Sequence, residues 1–238
     1  MTVHEERMAV IVRRMASHDA DGSGTVLLCE LAAELTGVNG ASIVLLSDEL
    51  AQGSLCTTEG VAAYLDDLGF TLGEGPALDA HAGGRPVLVD DLAAPVGSRW
   101  HAFAPSAVQA GVRALFAFPI RIGAVRLGAL TLFRDTPGPL SDPQYADALA
   151  MATVAARTIL TLQADAPPGS VAVELEEGAN FHFVVHQAAG MVSVQLGVGV
   201  TEALVRLRGH AFLSDRPIDD VARDVVARRL RLGAPRPA

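Results

Sequence analysis

The sequence predicts an α+β fold, in which an antiparallel sheet with flanking helices is followed by a small C-terminal three-helix bundle. Residues 111–121 and 125–135 are strand patterns joined by a short connection that contains Gly123, which is typical of an antiparallel hairpin. Helical patterns flank the strands and do not alternate with them, which favours an α+β architecture over a doubly wound sheet. Near the C-terminus, apolar residues recur at helical spacing in three short segments, which predicts the bundle.

These patterns divide the chain into four regions. Residues 1–23 are predicted to form an N-terminal helix and turn, and residues 24–163 the mixed domain that contains the sheet. The ADAPPG segment that follows has two adjacent prolines, which interrupt a helix. Residues 164–181 are therefore predicted to be a linker and connecting helix, and residues 182–232 to be the C-terminal bundle.

Individual elements follow from periodicity and from capping residues. Strands are predicted within residues 42–47, 54–60 and 85–92, in addition to the hairpin. Helices are predicted over residues 2–18, 26–35, 61–68 and 141–163, the last with Ser141 and Asp142 before a proline. LGEGPAL, at residues 72–78, is predicted to be a turn because glycine and proline punctuate it. A further helix is predicted to start at Ser170 and to continue to Leu196.

Composition indicates a soluble globular chain. Half of the residues are hydrophobic and 19% are charged, which permits a sizeable core. No apolar run reaches the roughly 18–20 residues that span a bilayer, and the N-terminus does not look like a secretory signal. Cys29 and Cys56 indicate neither a disulfide framework nor a metal-ligand spacing. We expect a cytoplasmic protein with no membrane partner.

Charge is distributed unevenly along the chain, whose net charge is −9. Residues 1–185 have 10 Arg against 22 acidic residues, and residues 186–238 have 8 Arg against 5. This asymmetry is consistent with an acidic module joined to one that binds a polyanion, and equally with ordinary scatter. There is no Lys in the chain, and Arg suits bidentate contacts to phosphate.

Residues 19–30 fit the pattern of a calcium-binding loop. Such a loop usually occurs in pairs with a helix on each side, so we favour a plain turn before a helix and leave calcium binding open. The ligands would be Asp19, Asp21, Ser23 and Glu30, with Gly24 at the turn.

His182 and His186 have the i, i+4 spacing of a metal-binding pair. No third ligand is evident near them, so a structural role, or a role facing a bound polyanion, is favoured and no metal is expected.

No motif supports catalysis. Ser106, Ser170 and Ser193 lack the surroundings of an activated nucleophile, and Gly73-x-Gly75 lacks the third glycine of a dinucleotide loop. We therefore expect no enzyme activity, no catalytic residues and no cofactor. Trp100 and Phe118 are candidates for lining a small-molecule pocket, although such aromatic residues are more often plain core.

Three segments in order, LGEGPALDA, RPVLVDDL and RWHAFAPSAVQAGVRALFAFPIRIGAVRLGALTLFRD, resemble the GAF domain of actinobacterial GAF-ANTAR regulators. The resemblance covers about residues 24–163. It implies a five- or six-stranded antiparallel sheet with helices on one face and, on the other, a pocket for a small-molecule signal. Many relatives have cysteine after GEGP, where this chain has Ala77, so the resemblance implies no thiol chemistry there.

The C-terminal region, over about residues 182–230, resembles the ANTAR domain, an RNA-binding module of transcription antiterminators. The matching residues are Gln187-Ala188-x-Gly190, Gly197-Val198, Glu202-Ala203, Leu207-Arg208, Ala211, Arg216 and Val221-Ala222. The resemblance implies a homodimer that binds hairpin loops in nascent RNA. Relatives often have Lys at the position of Ala189, so one potential phosphate contact is missing.

Recognition of an RNA loop needs planar donors, amides and exposed positive charge. Without the resemblance, charged side chains in this region would be interpreted as a solvated surface. The candidate RNA-binding residues are Gln187, Gly190, Arg206, Arg208, His210 and Arg216.

An apolar stripe at helical spacing precedes these residues and fits either an intramolecular core or a dimer seam. It consists of Phe181, Val184, Val185, Ala188, Met191 and Val192. The expected function is a signal-responsive RNA-binding regulator that acts by transcription antitermination. The alternative is a ligand- or protein-binding signalling module whose RNA binding has been lost.

Overall fold

The computed structural model describes residues 2–18, 25–46, 51–58, 60–94, 99–164 and 182–233. The chain divides into two compact units. The first unit comprises Met1–Gly69 and Glu74–Phe181, and the second comprises Phe70–Gly73 and His182–Ala238.

The described part of the chain contains helices and strands in the order expected for a mixed domain followed by a helical one. The helices are α1 (Val3–His18), α2 (Val26–Thr36), α3 (Val61–Leu72), α4 (Pro76–Gly83), α5 (Phe103–Gln109), α6 (Asp142–Ala164), α7 (Phe183–Leu196), α8 (Val200–Leu213) and α9 (Ile218–Val226). The strands are β1 (Gly40–Leu46), β2 (Ala51–Thr57), β3 (Val87–Val89), β4 (Ala114–Ile122) and β5 (Val125–Arg134).

All five strands form one antiparallel sheet in the order β2-β1-β5-β4-β3. Strands β4 and β5 form the predicted hairpin, because Ile122 pairs with Val125 across a two-residue turn. Gly123 in this turn has a φ of 58°, a left-handed conformation that glycine adopts without steric cost. The predicted antiparallel sheet with flanking helices is confirmed.

The two faces of the sheet bury different sets of side chains. Phe116 and Phe118 on β4 and Leu130 and Leu132 on β5 lie in the main core, which includes residues of α2 and α6. Side chains alternate between faces along a strand. Ala129 therefore points to the opposite face, where α4 packs against it and its neighbours on β1.

Two local predictions in this unit are wrong or incomplete. The LGEGPAL segment is not only a turn, because α4 begins inside it at Pro76, the first helical position, where proline is favoured. Helix α3 continues to Leu72, beyond the predicted end at residue 68. Helix α5 was not predicted, since its seven residues are too short for a clear periodicity.

The interpretation of the two cysteines is also wrong. Cys29 of α2 and Cys56 of β2 form a disulfide, with a Cα–Cα distance of 6.2 Å. Both residues are buried in the main core. A single pair separated by 27 residues has no recognisable spacing, and only the packing of α2 against β2 brings the two thiols together.

The start of α6 agrees with the predicted capping residues. The backbone N–H and the hydroxyl of Ser141 both donate to Oε1 of Gln144, at 2.9 and 3.0 Å. The N–H of Gln144 donates back to the Ser141 hydroxyl at 3.5 Å. This reciprocal arrangement is a capping box, which satisfies donors at the beginning of the helix.

The second unit contains the predicted three-helix bundle, α7 to α9. Its core holds side chains from all three helices, among them Val185, Val192, Leu204, Leu207, Val221 and Val225. Val185, Ala188 and Val192 of the apolar stripe belong to this core. Val184 and Met191 are half-buried, and Phe181 lies outside the described residues. Half of the predicted stripe is therefore intramolecular core.

The predicted helix from Ser170 to Leu196 is not continuous. Residues 165–181 lie outside the described part of the chain, and His182 has a φ of 46°, which is not helical. Helix α7 begins only at Phe183, so His182 and His186 do not share a helix face as predicted.

Residues 19–24, which hold most of the suspected calcium ligands, lie outside the described residues. Within the described residues, no group of three or more His, Cys, Asp or Glu side chains is placed to hold a metal ion. No individual helix in that part of the chain has the length and hydropathy of a membrane-spanning helix. Helices α7 and α8 reach that hydropathy only together, as a pair bent by 106°.

Candidate functional site

A partly buried polar group lies on the face of the sheet opposite α6. The hydroxyls of Ser42 on β1 and Ser54 on β2 donate to the two carboxylate oxygens of Asp66 on α3, at 2.7 and 2.8 Å. These two hydrogen bonds attach α3 to the sheet. Sequence patterns gave no sign of this group, because its members come from three elements and each residue type is common on surfaces.

Thr131 of β5 pairs directly with Ser42 of β1 and so lies on the same sheet face. Its side chain is 95% buried, since only 5% of the residue is exposed. Among the residues that the structure describes, no atom forms a hydrogen bond with the Thr131 hydroxyl. A buried hydroxyl without a partner is unfavourable by about 1–3 kcal/mol. The hydroxyl is therefore a candidate contact for a polar ligand on this face.

Trp100 lies beside α4 and α5. Its indole Nε1–H donates to Oδ2 of Asp79 at 3.2 Å, and the guanidinium of Arg99 lies 4.5 Å from its ring centroid. The following turn is held by Glu74, whose Oε1 accepts from the backbone N–H groups of Ala102 and Phe103, both at 2.8 Å. Trp100 adopts a φ of 53°, which is strained for a non-glycine residue.

Phe118 has no exposed surface and faces α6, where its ring centroid lies 5.4 Å from that of Tyr145. Trp100 contacts α4, on the other side of the sheet. The two predicted pocket residues are therefore not brought together, and Phe118 is part of the main core. A cavity of about 230 Å³ in this unit lies elsewhere, between α1 and α6, and is lined by Met8, Val12, Val154, Arg157, Thr158, Thr161 and Leu162.

In the second unit, two of the predicted RNA-binding arginines are held by carboxylates. Arg206 pairs with Glu202 one turn earlier on α8. Arg216 pairs with Asp224 of α9 at 2.7 Å, and Arg229 contacts the same carboxylate at 2.8 Å. Hydrogen bonds first from Arg216 and then from Arg229 hold the pKa of Asp224 below its usual range.

Arg208 has a different environment from Arg206 and Arg216. Its guanidinium carbon lies 5.3 Å from the ring centroid of Phe70, which belongs to the same unit. Burial lowers the pKa of Arg208, and its Nε has no hydrogen-bond partner among the described residues. A half-buried guanidinium against an aromatic ring is poorly placed to reach a phosphate.

The remaining predicted RNA-binding residues lie on two helices. His210 of α8 is half-buried, and Gln187 of α7 is exposed. A side chain at Gly190 of α7 would meet no atom within 4 Å, so this position faces open space. Ala189, where relatives often have Lys, has no exposed surface. This position therefore points into the bundle core.

Comparison with known proteins identifies the first unit. Residues 26–160 match the family model described as GAF domain. The GAF domain of an Acinetobacter phosphoenolpyruvate-protein phosphotransferase is 14% identical, with a TM-score of 0.50, covering 69% of this chain and 97% of that one. The GAF domain of the Coxiella burnetii phosphoenolpyruvate-protein phosphotransferase is 16% identical, with a TM-score of 0.51, covering 68% and 98%.

At these identities the solved structures show a shared fold alone, and no curated protein matches the chain. The family match spans more than half of the sequence and agrees with the five-stranded antiparallel sheet. This chain belongs to the GAF domain family.

Proposed function

We propose that the chain is a cytoplasmic, non-enzymatic regulator in which the GAF domain senses a small-molecule signal and the C-terminal bundle binds RNA. The bundle would act by transcription antitermination, as a homodimer that binds hairpin loops in nascent transcripts. The observation that carries this proposal is where apolar and basic side chains lie in the bundle. Its apolar side chains pack inside, while Arg206, His210 and Arg216 reach its surface on and just after one helix.

The ion pairs at this surface do not prevent phosphate binding. The side chains of Arg206 and Arg216 are 30% and 40% exposed, and their carboxylate partners are also in contact with solvent. Pairs as exposed as these are weak, because solvent screens the attraction between the two charges. A phosphate group can therefore replace Glu202 or Asp224 as the partner of the arginine at little energetic cost.

The sensor role is supported by the buried polar face of the sheet. The Thr131 hydroxyl there has no hydrogen-bond partner in the part of the chain that the structure describes, and it lies beside the pair of hydroxyls that donate to Asp66. A ligand with a hydrogen-bonding group would satisfy Thr131 and would stabilise the conformation to which it binds better. Only such a difference in affinity between two conformations allows a ligand to shift the equilibrium between them.

Binding of the full chain to RNA hairpins with hexanucleotide loops, measured over a salt series, tests the RNA function. We expect affinity to fall with salt, and the double substitution Arg206→Ala, Arg216→Ala to weaken binding at every salt concentration. The plot of log affinity against log salt has a negative slope, and its magnitude should fall by about 0.7–0.9 for each phosphate contact removed. Arg121→Ala, which removes an exposed arginine from the β4–β5 hairpin, is the matched control. Absence of binding at low salt would refute the proposal.

A second candidate function is a ligand- or protein-binding signalling module whose RNA binding has been lost. It is favoured by the position of Arg208 against Phe70 and by apolar side chains on the bundle surface, where Phe212 and Leu213 are 56% and 86% exposed. Exposed apolar clusters are typical of protein-interaction surfaces. A chain that binds no RNA hairpin at low salt but still binds a ligand through its GAF domain would fit this function.

A further inference from the structure

The groove of about 230 Å³ between α1 and α6 joins an apolar surface to a positive charge. Both helices contribute its apolar residues, which are Met8, Val12, Val154 and Leu162. Three polar side chains of α6 complete the lining, namely Arg157, Thr158 and Thr161. No Asp or Glu of the described residues lines the groove. Its charge and its apolar lining therefore suit a ligand that is both apolar and anionic.

Both halves of α1 are attached to neighbouring helices, so the groove is part of the fold. Arg7, in the first half of α1, pairs with Asp147 near the start of α6. Arg14, in the second half, pairs with Glu34 of α2 at 3.1 Å. Between these two ion pairs, Ile11 is buried in the main core. A groove that is already formed lowers the entropic cost of binding a ligand.

The three polar side chains of the groove are available to a ligand. In the described part of the chain, Arg157 forms no ion pair, and its side chain is exposed. Threonine hydroxyls within helices commonly donate to the carbonyl four residues earlier, as Thr153 does to Leu149 at 2.9 Å. Thr158 and Thr161 form no such bond with any described residue. One guanidinium and two hydroxyls are complementary to a carboxylate, whose oxygens accept hydrogen bonds.

We propose that this groove binds a small apolar carboxylate, with the carboxylate group against Arg157 and the hydrocarbon part between α1 and α6. An apolar cavity of about 150 Å³ accommodates benzene, so a volume of about 230 Å³ corresponds to about nine non-hydrogen atoms. A cationic ligand is disfavoured by the charge of Arg157. A neutral apolar ligand would bury the guanidinium without a partner, which is unfavourable.

This site is separate from the sheet face that contains Thr131, because α6 packs on the opposite face of the sheet. It is also independent of RNA binding by the bundle. A second copy of the chain is disfavoured as the occupant. Each partner in a specific interface buries about 800 Å², whereas this groove admits one small molecule.

The test is isothermal titration calorimetry of the full chain with benzoate, which is ionised at pH 7, and with benzamide, its neutral analogue of the same size. We expect benzoate to bind with a dissociation constant on the order of 0.1–1 mM, as is usual for ligands of this size. Benzamide should bind at least tenfold more weakly, because it lacks the charge-assisted hydrogen bonds.

Two variants change the groove, and each has a matched control on α1. Arg157→Met removes the charge and should weaken benzoate binding about tenfold. Val12→Trp fills the groove and should abolish detectable binding. Arg13→Met and Val10→Trp change exposed residues outside the lining, and both should keep the wild-type affinity within about twofold.

Equal affinities for benzoate and benzamide would overturn the proposal. So would benzoate binding that both groove variants leave unchanged. If Thr131→Val weakens that binding instead, the carboxylate binds on the sheet face. The proposal is also wrong if 10 mM benzoate produces neither heat nor a rise in melting temperature.

Sedimentation of the same variants tests the competing occupant. If the wild-type chain forms a dimer that Val12→Trp dissociates, a second copy covers the groove and the proposal is overturned. Far-UV circular dichroism checks that each variant is folded, and Arg157→Met decides the result if Val12→Trp unfolds. Binding to RNA hairpins should be the same in all four variants, so failure of this site leaves the proposed RNA function standing.

Discussion

Asp219 accepts a hydrogen bond from the imidazole of His182, with 3.0 Å between Nδ1 and Oδ2. A carboxylate only accepts, so Nδ1 of His182 holds the hydrogen. The ring of His182 also stacks on Phe70, with centroids 3.9 Å apart and planes 7° from parallel. This hydrogen bond connects the residue before α7 to the first turn of α9. It is also the main reason why the pKa of Asp219 lies below its usual range.

This relationship predicts a pH-dependent contribution to the stability of the bundle. Because the pKa of Asp219 is lower in the folded chain, its ionised form is stabilising above the unfolded pKa of about 3.9. The contribution is lost as the pH falls through the folded pKa. We expect Asp219→Asn to lower stability by about 1 kcal/mol at pH 6 and by progressively less on acidification towards pH 3, measured by thermal melting.

Asp220→Asn is the matched control for this experiment. Asp220 is the next residue on α9 and pairs with Arg223 at the surface, where such a pair contributes only a few tenths of a kcal/mol. The hydrogen bond to His182 would be contradicted if Asp219→Asn lowered stability by no more than Asp220→Asn does. It would also be contradicted if the loss of stability in Asp219→Asn did not change with pH.

The different environments of Arg208 and Arg216 predict different effects on RNA binding. Arg208→Met removes a half-buried charge and keeps an unbranched apolar side chain against Phe70, so it should leave RNA affinity within about twofold. Arg216→Met removes an exposed charge and should weaken affinity by about 1 kcal/mol, a factor of about five, as for one charge-assisted contact. Binding to the same hairpin at a fixed salt concentration checks both. Equal losses for the two variants would mean that Arg208 contacts RNA in the complex.

Because no described residue forms a hydrogen bond with the Thr131 hydroxyl, we expect Thr131→Val to stabilise the ligand-free GAF domain. Valine has nearly the same shape and removes a buried polar group without a partner, so the free energy of unfolding should rise by about 1 kcal/mol. Thr36→Val is the control, because the Thr36 hydroxyl is equally buried but donates to the carbonyl of Ala32 at 2.5 Å. It should not be stabilising. A destabilising Thr131→Val would show that the hydroxyl has a partner.

The disulfide predicts a dependence of stability on redox conditions. Cross-linking residues separated by 27 positions stabilises by about 3.5 kcal/mol through restriction of the unfolded chain. Reduction should therefore lower the melting temperature of the wild-type chain by roughly 7–14 °C. The double variant Cys29→Ser, Cys56→Ser should melt at a lower temperature and be insensitive to reductant. A wild-type melting temperature that reductant leaves unchanged would show that the two thiols are not bonded in solution.

Local periodicity alone determined most of the elements and several of their ends. The β4–β5 hairpin follows from two strand patterns around Gly123, and the start of α6 from Ser141. The buried face of α9 was also predictable, since Ile218, Val221, Ala222 and Val225 recur at helical spacing and all four are buried. In each case the interacting residues lie within a few positions of one another, so the sequence contains the whole signal.

Contacts between distant residues were decided only by the tertiary structure. Cys29 and Cys56 meet because α2 packs on β2, and the lone hydroxyl of Thr131 is buried because β5 lies in the middle of the sheet. The same holds for the apolar stripe that periodicity predicts on α7. The packing of α8 and α9 decides which of those positions become core. Gln187 and Val194 stay exposed on the other side of α7, because a short helix can bury only one side against a bundle.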